Sequence, residues 1–202
     1  MNRRIFFWRI GITFLLVLSL ACSKDPAGGD DGKTPQQLVN EGWTAFESGD
    51  YTTAATRFNE ALAQDNSLGE AHHGQGWVQA RLGNPGEAVN HFLNAISQNA
   101  AVPSATAGLA FIYNAQMQYA NSNQRAGEVL SQNAQWVFEH DSRVDWRDLV
   151  ILRAENYFAL GQFAESLQEV KKLNSAFDSD VSTTAGQAEL AAEIERLVGV
   201  YF

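Results

Sequence analysis

Apolar and small residues recur along this chain with a period much longer than one helical turn. When Pro35–Leu68 is laid over Gly69–Val102 without a gap, similar residues coincide at a constant offset of 34. The matched pairs are Gly42/Gly76, Trp43/Trp77, Gly49/Gly83, Ala54/Ala88, Phe58/Phe92, Ala61/Ala95 and Leu62/Ile96. Identity at one fixed spacing is the signature of a repeat architecture, in which each unit is a supersecondary element stacked on the next.

Each unit is predicted to be a pair of antiparallel helices. Gly49-Asp50 and Gly83-Asn84-Pro85 separate the two halves of their units, with glycine ending one helix and Asp or Asn capping the next. Small residues such as Gly42 let the two helices approach closely, and an aromatic residue such as Phe58 fills the space between neighbouring pairs.

The third and fourth units follow this pattern less regularly. The third opens at Pro103 but shows no turn where one is due, so residues 114–124 are expected to lengthen the helix or form a long loop. The second helix is then expected from about Arg125, with an apolar face of Ala126, Leu130, Ala134, Val137 and Phe138, and 139–145 as a linker. The fourth unit begins near Arg147, about ten residues late against the repeat spacing. The predicted units are 35–68, 69–102, 103–146 and 147–181, followed by a capping helix at 182–202.

The repeated unit resembles the tetratricopeptide repeat. The resemblance rests on the small residue of the first helix and on an Ala–aromatic–Ala pattern in the second, which here are Gly42, Ala54, Phe58 and Ala61 and their partners in the next unit. The Leu and Tyr usual in the family's first helix are replaced by Glu41 and Ala45. The resemblance implies an all-α helical solenoid of about four helix pairs plus a C-terminal capping helix over residues 35–202.

The resemblance also implies a concave groove lined by the first helix of every unit. The residues carried over to this groove as candidates for binding a partner are Val39, Trp43, Phe46, His73, Trp77, Arg81, Phe111, Asn114, Glu155 and Phe158. Trp43, Trp77 and Phe111 hold the same place in three successive units and form an aromatic column. Two interpretations stay open, because rigid aromatic rings are typical of binding hot spots and equally able to fill space inside a helical array.

The first 21 residues predict a secretory signal peptide. A basic start, Met1–Arg9, precedes the uncharged apolar run Ile10–Ala21, which has twelve residues. A helix of that length spans about 18 Å, short of the ~30 Å hydrocarbon core of a bilayer. A basic start, an apolar middle and a small residue at the cut are typical of cleaved signals.

The end of this segment, Leu18–Cys22, resembles the lipobox of bacterial lipoproteins. The resemblance implies cleavage before Cys22 and attachment of lipid, including palmitate, to that cysteine. Ser23 implies the outer membrane by the enterobacterial sorting rule, with the domain in the periplasm and the cell surface also open. Residues 22–34 are rich in Gly and Asp and predict a flexible tether. An uncleaved anchor helix and a plain secreted signal stay open as alternatives.

Charge and motifs argue against several classes of function. The chain has 202 residues with 14 basic and 23 acidic side chains, a formal net charge of −9 that repels phosphate backbones, so nucleic-acid binding is not expected. No nucleophile elbow, phosphate loop or dinucleotide fingerprint occurs, and neither catalysis nor a cofactor is expected. His72, His73 and His91 lie in one unit but lack the second Glu-x-x-His pair of a di-metal site, so no metal is expected either.

The sequence therefore predicts a membrane-anchored protein–protein interaction scaffold of the bacterial cell envelope. It is expected to bind a peptide or helix of an unidentified envelope protein in its groove. Two alternatives stay open: surface binding of a glycan or small ligand by Trp43 and Trp77, and a purely structural spacer.

Overall fold

The computed structural model describes residues 32–201, and these form α-helices joined by short turns and two longer segments, 133–145 and 174–183. The helix pairs are α1 (Pro35–Glu47) with α2 (Tyr51–Gln64), α3 (Gly69–Leu82) with α4 (Pro85–Ser97), α5 (Val102–Ala115) with α6 (Tyr119–Gln132), and α7 (Trp146–Ala159) with α8 (Phe163–Leu173). A last helix, α9 (Thr184–Tyr201), packs on α7 and α8. The predicted all-α array with its capping helix is confirmed in this part of the chain.

The helices form two layers. The first helices of successive pairs, α1, α3, α5 and α7, contact one another in a row, and each second helix packs between its own partner and the next first helix. One core cluster runs from α1 to α7, and a second joins α7, α8 and α9. The row of first helices is the surface that a solenoid presents as its concave face.

The repeated glycine and phenylalanine explain how the pairs stack. The ring of Phe58, fully buried, lies against Gly42 of its own pair and Gly74 of the next pair. A Cβ atom built on Gly74 would come within 2.2 Å of this ring, so a larger residue there would displace the phenylalanine. Phe92 lies in the same way between Gly76 and Gly108. The predicted combination of small and aromatic residues therefore sets the spacing of the units.

Three of the four turns within pairs use a glycine in the left-handed region. The φ angles are +83° at Gly49, +80° at Gly83 and +73° at Gly161. Asp50 caps the following helix, since its carboxylate accepts a hydrogen bond from the Thr53 backbone N–H at 3.0 Å. The equivalent Asn84 makes no capping bond to α4, and its side-chain N–H donates to the Gln79 side-chain carbonyl at 2.8 Å. The expectation of an Asn cap is therefore wrong at this turn.

The third pair also turns on schedule, which corrects the expectation of an extended helix or long loop over 114–124. Helix α5 ends at Ala115, and Met117 takes the left-handed position with φ +60° that glycine takes in the other pairs. The Gln118 N–H donates to the Tyr113 carbonyl at 2.8 Å and closes the turn. A non-glycine residue rarely adopts this conformation, so the sequence carried no turn signal here.

The additional residues of the third unit lie after α6. This helix ends at Gln132, so Ala134, Val137 and Phe138 are not on its apolar face as expected, and 133–145 connects α6 to α7. We call residues 133–145 the groove segment. Its position accounts for the late start of the fourth unit, since the delay of about ten residues falls between the third and fourth pairs.

Among the described residues, no helix has the length and apolar character needed to cross a membrane. The expected signal peptide, Cys22 and most of the tether fall at residues 1–31, which lie outside the described residues.

Candidate functional site

The groove candidates of the first two pairs form one buried group on α1 and α3. Val39, Trp43, Phe46, His73 and Trp77 are each no more than 6% exposed. The indole of Trp43 lies edge-on to Phe46 and Phe58, with ring centroids 5.5 and 5.1 Å apart. The structure therefore brings these candidates together, but solvent reaches little of their surface.

The groove segment covers these residues because it folds back as a short hairpin. The Phe138 N–H donates to the Val144 carbonyl at 2.9 Å, and the Trp146 N–H donates to the Trp136 carbonyl at 2.7 Å. An antiparallel bridge joins Val137 and Asp145 between these bonds. The alternation of an extended strand then turns Trp136 and Phe138 inward, at 5% and 0% exposure, and leaves Val137 outward at 47%.

Two rings of the groove segment stack on the two tryptophans of the aromatic column. Phe138 lies nearly parallel to Trp77, with centroids 4.2 Å apart and an interplanar angle of 19°. The His140 imidazole lies on Trp43 at 3.6 Å and 5°. Stacked rings at these distances exclude any other planar group from the same faces. No sugar or aromatic ligand can therefore stack on these faces while the segment is in place.

Two polar contacts hold the tip of the groove segment. Arg81 donates to Asp141 at 3.0 Å, and both side chains are about nine-tenths buried. Burial alone would raise the pKa of Asp141, but Arg143 and Arg81 lower it below its ordinary value. His140 contacts the Glu47 carboxylate through Nδ1 at 2.8 Å. The candidate Arg81 thus binds the chain's own acidic residue.

His73 is fully buried beneath the groove segment, and its contacts fix its tautomer. The Trp77 indole N–H donates to His73 Nε2 at 3.1 Å, and the Ser104 hydroxyl lies 2.9 Å from the same nitrogen. Since the indole can only donate, Nε2 accepts and the proton of the neutral ring is on Nδ1, which faces Glu70 at 3.7 Å. Burial lowers the pKa of His73 below its ordinary value, although Glu70 opposes this shift. Its contacts are those of a neutral structural histidine.

The remaining candidates lie on α5 and α7, beyond the groove segment. Phe111 is 7% exposed and lies at the boundary, with its ring 6.3 Å from that of Trp77. Asn114 and Phe158 are partly exposed, and the Asn114 amide donates to Asn156 at 2.7 Å. Phe158 packs edge-on against Phe163 with centroids 5.0 Å apart.

Glu155 has an unusual environment for a carboxylate. It follows Trp43, Trp77 and Phe111 in the register of the groove, at the place that is aromatic in the first three pairs. Burial raises the pKa of Glu155 to about 8, yet the side chain keeps partial contact with solvent. The group is therefore recessed in protein and still reachable.

The groove divides into two parts of opposite character. We call the surface of α1 and α3 together with the groove segment the filled half, and the surface of α5 and α7 around Asn114, Ala115, Glu155 and Phe158 the open half. Within residues 32–201, no three His, Cys, Asp or Glu side chains are placed to hold a metal ion. The chemistry available in the open half is thus that of aromatic, amide and carboxylate groups.

Comparisons with known proteins agree with this architecture. A family model for the tetratricopeptide repeat matches residues 69–92, which span α3 and part of α4. Among solved structures, PilW, described as a widely conserved type IV pilus biogenesis factor, matches with a TM-score of 0.62 at 17% identity, over 84% of this chain and 79% of PilW. A search of curated proteins finds no match.

Two bacterial tetratricopeptide repeat proteins match at a similar level. A protein from Parabacteroides merdae gives a TM-score of 0.56 at 19% identity over 85% of this chain, which spans 64% of that protein's length. One from Thermus thermophilus gives 0.56 at 16% identity, over 83% and 82% of the two chains. The chain therefore contains a tetratricopeptide repeat at residues 69–92, and its described part has the tetratricopeptide repeat fold, as predicted.

The groove segment is the feature of the site that sequence reasoning missed. Two signals pointed to it: the late start of the fourth unit, and the apolar and aromatic residues Trp136, Val137 and Phe138 where a linker was due. Assigning Val137 and Phe138 to a helical face concealed the second signal, because a strand and a helix bury different residues of the same stretch.

Proposed function

We propose that this protein is a lipid-anchored protein–protein interaction scaffold of the bacterial cell envelope, and that it binds a peptide or helix of an envelope partner in its groove. Repeat arrays of this kind present extended concave surfaces to their ligands. One observation carries the choice of a polypeptide ligand. The groove already holds an extended stretch of polypeptide, the groove segment, through stacked rings and an ion pair at its tip.

The partner binds in the open half of the groove. In the filled half the ring faces of Trp43 and Trp77 are taken by His140 and Phe138, and Arg81 is paired with Asp141. In the open half Asn114, Glu155 and Phe158 keep contact with solvent and offer an amide, a carboxylate and an aromatic ring. A site with a few polar groups beside an aromatic anchor is the usual composition of a peptide-binding surface.

Affinity capture from detergent-solubilised membranes tests this proposal. Ala115→Arg places a long charged side chain in the open half, at an exposed position near the end of α5. Ala120→Arg places the same side chain at an exposed position on α6, away from the row of first helices, and serves as the matched control. We expect a stoichiometric protein partner that is lost with Ala115→Arg and kept with Ala120→Arg. Retention with both variants would contradict binding in the open half.

The lipid anchor is proposed from the sequence alone, on the lipobox-like residues before Cys22. Metabolic labelling with an alkyne fatty acid tests it. We expect label in the wild-type chain and none in Cys22→Ala, with Ser23→Ala as the control that keeps it. Label that persists in Cys22→Ala would refute the assignment. Fractionation of labelled cells then places the protein, and we expect it in the outer membrane.

A further inference from the structure

The Glu155 carboxylate stands without a partner inside a concave surface. In the part of the chain that the structure describes, no hydrogen bond or ion pair involves this side chain, and burial raises its pKa to about 8. An isolated carboxylate that loses water and gains no partner costs free energy, so proteins seldom keep one unless a ligand completes it.

Among residues 32–201, no cation is spare to complete this site. Each lysine and arginine of residues 32–201 lies within 4.0 Å of a carboxylate other than Glu155. The pairs are Lys33–Glu41, Arg57–Glu41, Arg81–Asp141, Arg125–Glu128, Arg143–Asp141, Arg147–Asp145, Arg153–Glu169, Lys171–Asp178, Lys172–Glu169 and Arg196–Glu193. Within the described residues, no lysine or arginine is therefore left to pair with Glu155.

We infer that the partner segment bound in the open half presents a lysine or arginine side chain to Glu155. This inference rests on the proposed function and names the chemistry of its partner. Phe158 lies one helical turn beyond Glu155 on α7, and residues three apart share a face of a helix. Phe111 precedes Glu155 in the groove register on α5. A cation between these residues would meet a carboxylate and an aromatic ring together, and both attract it.

In the filled half the same concave surface forms an ion pair of this kind with the two charges exchanged. There a groove cation, Arg81, receives an acidic residue from the groove segment, and its guanidinium carbon lies 5.9 Å from the Phe46 ring. In the open half the groove supplies the acid, and the incoming segment must supply the cation. Charge complementarity between Glu155 and the incoming segment thus selects a basic segment over an acidic or neutral one.

Selection of random peptides displayed on phage tests the inference with the full-length, detergent-solubilised chain. The variant is Glu155→Gln, which keeps the size of the side chain and removes its charge. The matched control is Glu195→Gln, an exposed position in the interior of α9. We expect wild-type selection to enrich peptides that contain Lys or Arg. These peptides should bind Glu155→Gln about tenfold or more weakly, as for a lost charge-assisted hydrogen bond, and bind Glu195→Gln unchanged.

The outcomes separate the inference from the proposed function. Selected peptides that lose binding in Ala115→Arg but carry no basic residue would overturn the inference. Binding in the open half would still be supported by that result. Basic peptides that bind Glu155→Gln as well as wild type would overturn it too, since the overall negative charge would then explain their selection. If no peptide binds the open half at all, both the proposed function and the inference fail.

Discussion

The two halves of the groove are built from helices in the same register but have opposite surfaces. In the filled half Trp43 and Trp77 are covered by His140 and Phe138 of the groove segment. In the open half the equivalent line of the groove ends in Glu155, a recessed carboxylate that keeps partial contact with solvent and that no described residue pairs. The comparison shows that a family's groove positions identify a surface, while an insertion elsewhere in the chain decides whether that surface is core or binding site.

The largest effect should follow from removing the ring that fills the first half. Phe138 is fully buried between Trp77 and the core, so Phe138→Ala leaves a cavity and should lower the free energy of unfolding by about 4 kcal/mol. Urea unfolding followed by tryptophan fluorescence measures this. Val137→Ala is the matched control, since Val137 is 47% exposed and its truncation should cost less than about 0.5 kcal/mol. Similar losses for both variants would mean that the segment is not part of the core.

Glu155→Gln should have the opposite sign and should depend on pH. The folded-state pKa of about 8 lies above the ordinary value of 4.5, so the native state binds more protons between these values and wild-type stability falls as pH rises through this window. The variant escapes this loss. We expect it to equal wild type near pH 4 and to exceed it by about 2 kcal/mol at pH 9, after discounting for partial exposure. Thermal unfolding at several pH values measures the difference. A gain that is the same at pH 4 and pH 9 would contradict a raised pKa.

The fold could be predicted because its determinants are local and periodic. Gly42, Ala54, Phe58 and Gly49 recur at a fixed spacing, and each acts on a neighbour within its own unit or the next. The turn at Met117 was not predicted, because Met117 adopts the left-handed backbone conformation that glycine adopts in the other pairs.

The state of the candidate site could not be predicted in the same way. Register assigned Trp43, Trp77 and Arg81 to the row of first helices, but their partners lie in a segment outside the repeat. Arg81 and Asp141 are 60 residues apart, and His140 and Glu47 are 93 apart. Such pairings follow from how an insertion folds back in three dimensions, and neither period nor composition encodes that.

A smaller effect should follow from loosening the tip of the groove segment. Arg81→Met keeps the apolar stem and removes the ion pair with Asp141, which retains Arg143 as a partner. We expect the free energy of unfolding to fall by about 1 to 2 kcal/mol, which is less than the loss for a buried charge that keeps no partner. Trypsin cleavage after Arg143 should become faster, because that bond lies in the segment. Lys171→Met, which breaks an exposed pair with Asp178, is the control and should change neither quantity measurably.

The smallest effect concerns His73, a fully buried histidine of the filled half, and its sign opposes that of Glu155. Burial holds the folded-state pKa of His73 below the ordinary value of 6.5, so the unfolded chain takes up the proton first and stability falls as pH drops below about 6.5. Protonation of Nε2 would also set two donors, the new N–H and the Trp77 indole, against each other. Between pH 7 and pH 5, the free energy of unfolding of wild type should therefore fall by about 1 kcal/mol more than that of His73→Gln. His91→Gln is the comparison, because burial also lowers the pKa of His91, but outside the groove. If wild type and His73→Gln lose the same free energy of unfolding between pH 7 and pH 5, protonation of His73 does not destabilise the filled half. The filled half would then be less tightly packed around His73 than its contacts indicate.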